Sequence, residues 1–221
     1  MRSFKAIVAT LLLLTLSLET RAQGTMFANL DFEQPILPLV PAVGGQVLIA
    51  GAMPGWTGYL GGVQTDKVAY NTVGIGGAVI SLHDLGSLRQ PVQGNYSAML
   101  QPSFVFQTTA ALGQTGQIPS TAVSLIFYGT PSMQVTFAGQ PISLVTLGGA
   151  SEYAVRGGDI SQFAGQTGEL RFTQSAGPLG SVMAWLDNIQ FSNQPIPEPG
   201  TFVLFALGTL LLGWRLRDRL R

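Results

Sequence analysis

From residue 23 to residue 194 the chain is a succession of short apolar or alternating runs cut by Gly and Pro. No stretch there carries the 3.6-residue period of an amphipathic helix. That punctuation limits the fold more than any other feature, because runs of this length suit strands and are too short for packed helices. Runs 46–50, 67–71, 78–83, 96–101, 104–108, 122–128, 134–137, 142–147, 152–156, 169–173 and 183–191 read as strands, and 28–33 places Leu30 and Phe32 on one face. The most apolar, AVSLIFY at 122–128, suits a central strand. Residues 113–119 read as a turn-rich piece, 138–141 as a hairpin turn, and Asp159 as the cap of a short helical turn. About ten short strands at this spacing predict an all-β, two-sheet antiparallel β-sandwich.

The two ends follow different rules. Arg2 and Lys5 precede an apolar run over 6–18, and Ala22 offers a small residue for cleavage. This is the layout of a secretion signal peptide over 1–22, with an uncleaved signal anchor as the alternative. At the other end, Pro195, Pro197 and Pro199 hold the backbone extended. An uncharged run over 201–214 follows, and then Arg215, Arg217, Arg219 and Arg221. The run is short for the hydrocarbon core of a bilayer at roughly 1.5 Å per residue. Trp214 can sit at the interface and the arginines can snorkel to the head groups, with the basic end cytoplasmic. A transmembrane helix is therefore expected over 201–214; a buried core helix would not end in four arginines.

Pro197-Glu198-Pro199, the apolar run and the Arg cluster, in that order, resemble the PEP-CTERM sorting signal of Gram-negative bacteria. The resemblance implies recognition by an exosortase-type membrane transpeptidase and removal of the tail, much as a GPI signal is removed. It also implies an exported protein, anchored in the inner membrane as a precursor and then sorted to the cell surface or extracellular matrix.

Setting both ends aside leaves one ectodomain, 23–194. The whole chain is neutral, with 11 basic and 11 acidic residues. The ectodomain is not. It has Lys67, Arg89, Arg156 and Arg171 against Asp31, Glu33, Asp66, Asp84, Glu152, Asp159, Glu169 and Asp187, a net of −4. An acidic surface does not suit nucleic acid. With no cysteine, packing alone, or packing with a metal, must hold the fold in an oxidising compartment.

Asn29-Leu30-Asp31-Phe32-Glu33 and the run 185–191, with Pro54-Gly55-Trp56 and 159–165 between them, resemble galactose-binding-like jelly rolls. This resemblance implies first and last strands side by side, with Glu33 and Asp187 as candidate ligands of a structural Ca²⁺. Calcium takes six to eight oxygens, so Asp31 and backbone carbonyls would have to join; the bland alternative is solvent-facing turn residues, with Asp187-Asn188 in a bulge. Trp56 and Tyr59 are candidates to stack on a sugar, and Trp185 reads as buried. His83-Asp84 is no dyad, because neighbouring strand residues face opposite ways. Gly74-Ile75-Gly76-Gly77 lacks the Lys and the helix of a phosphate loop. No residue set points to catalysis. The expectation is a non-enzymatic, exported protein with a structural or adhesive role in extracellular polysaccharide, the alternative being a carbohydrate-binding module with a defined ligand.

Overall fold

The computed structural model describes residues 25–37, 39, 41–177 and 183–196, so the segments expected as signal and transmembrane helices lie outside the described residues. Among the described residues, fourteen strands form two sheets. In chain order these are β1 (Gln46–Leu48), β2 (Thr57–Leu60), β3 (Val63–Thr65), β4 (Lys67–Tyr70), β5 (Val79–Asp84), β6 (Tyr96–Gln101) and β7 (Ala110–Gln117). They continue as β8 (Ser124–Gly129), β9 (Gln134–Phe137), β10 (Gln140–Pro141), β11 (Leu144–Gly149), β12 (Ala154–Asp159), β13 (Thr167–Gln174) and β14 (Ala184–Ser192). The larger sheet runs β1-β4-β5-β6-β14-β8-β12-β11 and the smaller β10-β9-β13-β7-β2-β3. Every pairing is antiparallel except β4 with β5. The two-sheet sandwich expected from the punctuation is the fold, with one parallel pair added.

Alternation along the strands builds the core. Ile80 and Leu82, Ala98 and Leu100, Leu125 and Phe127, and Ala184 and Leu186 face inward from the larger sheet. Leu112, Val135, Phe137, Leu170 and Phe172 meet them from the smaller one. Phe127 and Phe172 pack edge to face across the gap, ring centres 5.1 Å apart.

Three local expectations change. Residues 113–119 were expected to turn, yet Gly113 and Gly116 lie inside or at the end of the long strand β7. There the missing Cβ atoms make room for the Glu169 carboxylate and the Phe27 ring, so these glycines serve close packing. Residues 104–107 form a turn closed by Ser103–Thr108 pairing, with Gln107 at φ +49°, where a strand was expected. Residues 28–33 are also a turn, with Asn29 and Phe32 at positive φ. Gln114 fastens it by bonds to both the N–H (2.6 Å) and the carbonyl (2.9 Å) of Ala28. The hairpin turn at 138–141 is present, with Ala138 and Gly139 in left-handed backbone. Asp159 stands one residue ahead of the N-cap position, which Ile160 holds, and accepts the Ser161 N–H at 2.8 Å at the start of the 3₁₀ turn Ser161–Phe163.

Candidate functional site

The outer face of the larger sheet carries side chains that alternation directs away from the core: His83 on β5, Ser97 on β6, and Trp185 and Asp187 on β14. His83 and Ser97 are register partners. Loop 85–95 folds over this row, leaving His83 and Asp187 each 1 % exposed and Ser97 fully buried. Their polar atoms hold the loop down. The Ser97 hydroxyl donates to Asp187 Oδ2 at 2.5 Å and accepts the Val92 N–H at 2.8 Å. Asp187 Oδ2 also takes the Gln93 N–H at 3.2 Å, and its Oδ1 takes that of Asn188 at 2.6 Å. His83 Nδ1 and the Ser87 hydroxyl lie 2.7 Å apart, and Ser87 Oγ accepts the Arg89 N–H. Gln90 adds bonds from its amide to the carbonyls of Leu85 and Ser87, each 3.0 Å.

Burial sets the electrostatics. It pushes the Asp187 carboxyl up to about 7, and the nearby Glu33 charge acts the same way against the three hydrogen bonds it accepts. Burial pushes the His83 imidazole down to about 4, so it is neutral at ordinary pH. The covering loop is what takes His83 out of reach of solvent. Next to it, Asp84 faces the other way. Burial raises its pKa, but donation from the Tyr70 hydroxyl, the Asn71 amide and the Gly86 N–H leaves it below the ordinary value.

Glu33 grips the same loop from the opposite side. Its Oε1 accepts the N–H groups of Asn95 (2.7 Å) and Tyr96 (2.9 Å), and its Oε2 the Asn95 amide (3.0 Å). Gly94, at φ +62°, passes so close to this carboxylate that any Cβ would collide with it. The turn carrying Glu33 lies against the last strand through the Ile189 N–H to Leu30 carbonyl bond, beside a bulge where Asn188 takes φ +47°. Glu33 and Asp187 do converge, but on donors. Each oxygen faces an N–H or O–H, and no group of three or more His, Cys, Asp or Glu among the described residues could hold a metal ion. This donor set does not fit calcium, which needs six to eight oxygens turned toward the ion. The solvent-facing alternative fails for Asp187, which is buried beside the expected bulge, whereas Glu33 is half-buried and Asp31 exposed.

Beside the network lies an open cavity of about 470 Å³. Loop residues 88–92 form one wall and 150–153, between β11 and β12, the other, with Trp185 at the base. Trp185 meets His83 edge-on at 5.1 Å, and Tyr153 stacks on Tyr128 at 4.9 Å. Among the described residues, neither the Arg89 guanidinium nor the Glu152 carboxylate makes a hydrogen bond or ion pair within the protein.

The two aromatic residues singled out for sugar stacking lie elsewhere. Trp56 is 4 % exposed, stacked on Phe32 at 5.2 Å, with its indole N–H on the Asn29 carbonyl at 2.9 Å. It is a core residue with no face to offer a ligand, because the turn at 28–33 closes over it. Tyr59 stands half-buried on the outer face of the smaller sheet. Its hydroxyl donates to Glu169 at 2.8 Å, and the Arg171 guanidinium covers its ring at 3.9 Å. Arg171 also pairs with Glu169 at 2.8 Å.

Reading the sequence missed Ser87, Ser97, Arg89, Glu152 and Tyr153. One signal was available: β5 and β6 alternate apolar residues with Ser81, His83 and Ser97, polar side chains on strands too apolar to lie open to water.

At the far end of β14, Ser124 Oγ donates to the Gln194 carbonyl at 2.6 Å, and Ile196 lies over Gly157. The chain beyond carries the proline-flanked glutamate, the apolar run and the arginines. Residues 195–219 match the PEP-CTERM protein-sorting motif. The PEP-CTERM match takes in Pro197, Glu198, Pro199, Arg215, Arg217 and Arg219, all outside the described residues. It marks an exported protein whose precursor is held in the membrane and processed by an exosortase to the cell surface. No curated protein and no solved structure matches the chain. Among the described residues no helix is long and apolar enough to cross a membrane, and the run expected to do so lies outside them.

Proposed function

We propose that this PEP-CTERM protein is a non-enzymatic, structural or adhesive component of the extracellular polysaccharide, with the sandwich as the contacting part. The observation that carries the reading is a surface-sorting signal joined to an acidic sandwich whose buried polar groups brace a loop. His83 and Ser87 form a pair, and Ser97 and Asp187 another, but His83, Ser97 and Asp187 lie beneath loop 85–95, Ser87 belongs to it, and all four secure it. Buried groups occupied in this way support a binding surface better than a reaction centre.

Fractionation of the native host tests the reading. The protein should co-purify with extracellular polysaccharide and be released when that polysaccharide is digested. Retention on cells stripped of polysaccharide would refute it.

A further inference from the structure

We propose that the cavity between residues 88–92 and 150–153 is a subsite for a neutral pyranose unit of a glycan. The inference rests on the polysaccharide reading above and adds where and what the protein touches. At about 470 Å³ the cavity falls within the roughly 300–1,000 Å³ of small-molecule sites, room for one or two sugar rings. Its surfaces match the two chemistries of a pyranose. Tyr153, backed by Tyr128, and the rim of Trp185 offer aromatic surface to the ring's C–H face. Arg89 on one wall brings a fork of N–H donors, and Glu152 on the other brings two acceptor oxygens. Vicinal hydroxyls can accept from the first and donate to the second, in the charge-assisted bonds that give polar recognition its strength. Both groups are exposed and, among the described residues, tied to no other side chain, so a ligand would displace only water from them.

Charge narrows the class. One cation and one anion face each other across the cavity, on an ectodomain with a net charge of −4. A polyanionic glycan would meet repulsion from Glu152 and from the domain as a whole, whereas a neutral one meets none.

The network below gives the site its rigidity. Four buried polar side chains, His83, Ser87, Ser97 and Asp187, fix the backbone of the loop that carries Arg89. Apolar residues would fill that space at lower electrostatic cost. Hydrogen-bonded ones hold the wall in place before a ligand arrives, which lowers the ordering entropy of binding.

The test is calorimetric titration of the full-length protein in detergent with neutral gluco-, galacto- and manno-oligosaccharides and with uronate oligosaccharides. Saturable binding of at least one neutral series is expected. Arg89→Ala, Glu152→Ala and Tyr153→Ala should each weaken it by tenfold or more, the first two without moving the melting temperature, while Tyr59→Phe leaves it unchanged. Neutral-glycan binding that survives all three cavity variants, or is lost only in Tyr59→Phe, overturns the subsite and leaves the polysaccharide role standing. Binding of uronates alone overturns the neutral class. If the protein binds no oligosaccharide yet still co-purifies with polysaccharide, the subsite fails; if it does neither, both readings fail.

Discussion

Asp187 and His83 are displaced from their ordinary proton affinities in opposite directions, and stability should register both. Asp187 holds its proton more tightly folded than unfolded. It therefore favours the fold at low pH, and this contribution is lost as pH rises from about 4 to about 7. His83 holds its proton less tightly folded. Its contribution is complete above about 6.5 and is lost as pH falls toward about 4. Between those limits the two slopes oppose each other, so these residues leave stability nearly flat from about pH 4 to 6.5 and declining just above. Asp187→Asn removes one slope: urea titrations of that variant should show stability falling on acidification from 6.5 and no decline between 6.5 and 7. Trp56 makes a different residue-scale prediction. Its indole fills the space between Phe32 and Phe172, so Trp56→Ala should lower unfolding stability by about 3–5 kcal/mol in chemical denaturation. Any loss of glycan binding should then follow the unfolded fraction.

Loop 85–95 is the element that joins network and cavity, and Glu33 is its outer clasp. Glu33→Ala removes the acceptor for two backbone N–H groups and one side-chain amide. Hydrogen exchange at Asn95 and Tyr96 should speed up at least tenfold, with a loss of about 1–3 kcal/mol in global stability. The sequence foretold the elements wherever local pattern and tertiary packing agree. Strands β5, β6, β8, β9 and β14 show alternation or β-branched and aromatic content, and all were legible. Strand β7 was hidden because Gly113 and Gly116 look like punctuation, and only the Glu169 and Phe27 side chains lodged against them reveal their use. The 104–107 segment misled in the reverse sense: Phe-Val-Phe has strand composition, but Ser103 and Thr108 pair across it and close a turn. The site was half legible. Glu33 and Asp187 were singled out and do meet on one segment, but their acceptor role depends on the path of loop 93–96, which no pattern encodes. Arg89, Glu152 and Tyr153 come from segments more than 50 residues apart and meet only through the order of β14, β8 and β12.

For the molecule as a whole, sorting and folding are separable. Replacing Pro197, Glu198 and Pro199 with Ala should leave the sandwich intact and stop processing. Mass spectrometry of surface material should find tail-less wild type, whereas the variant accumulates in membranes as a chain running through Arg221. The larger sheet also fixes how the finished protein is presented. Ser124 pairs with Asp159 and Ser192 at one end of β8, where Gln194 departs, and Gly129 pairs with Ala154 and Leu186 at the other, beside Tyr153 and Trp185. At about 3.3 Å per residue the two ends are roughly 17 Å apart. A domain tethered through its C-terminal lead therefore carries the cavity at the end of β8 remote from the tether.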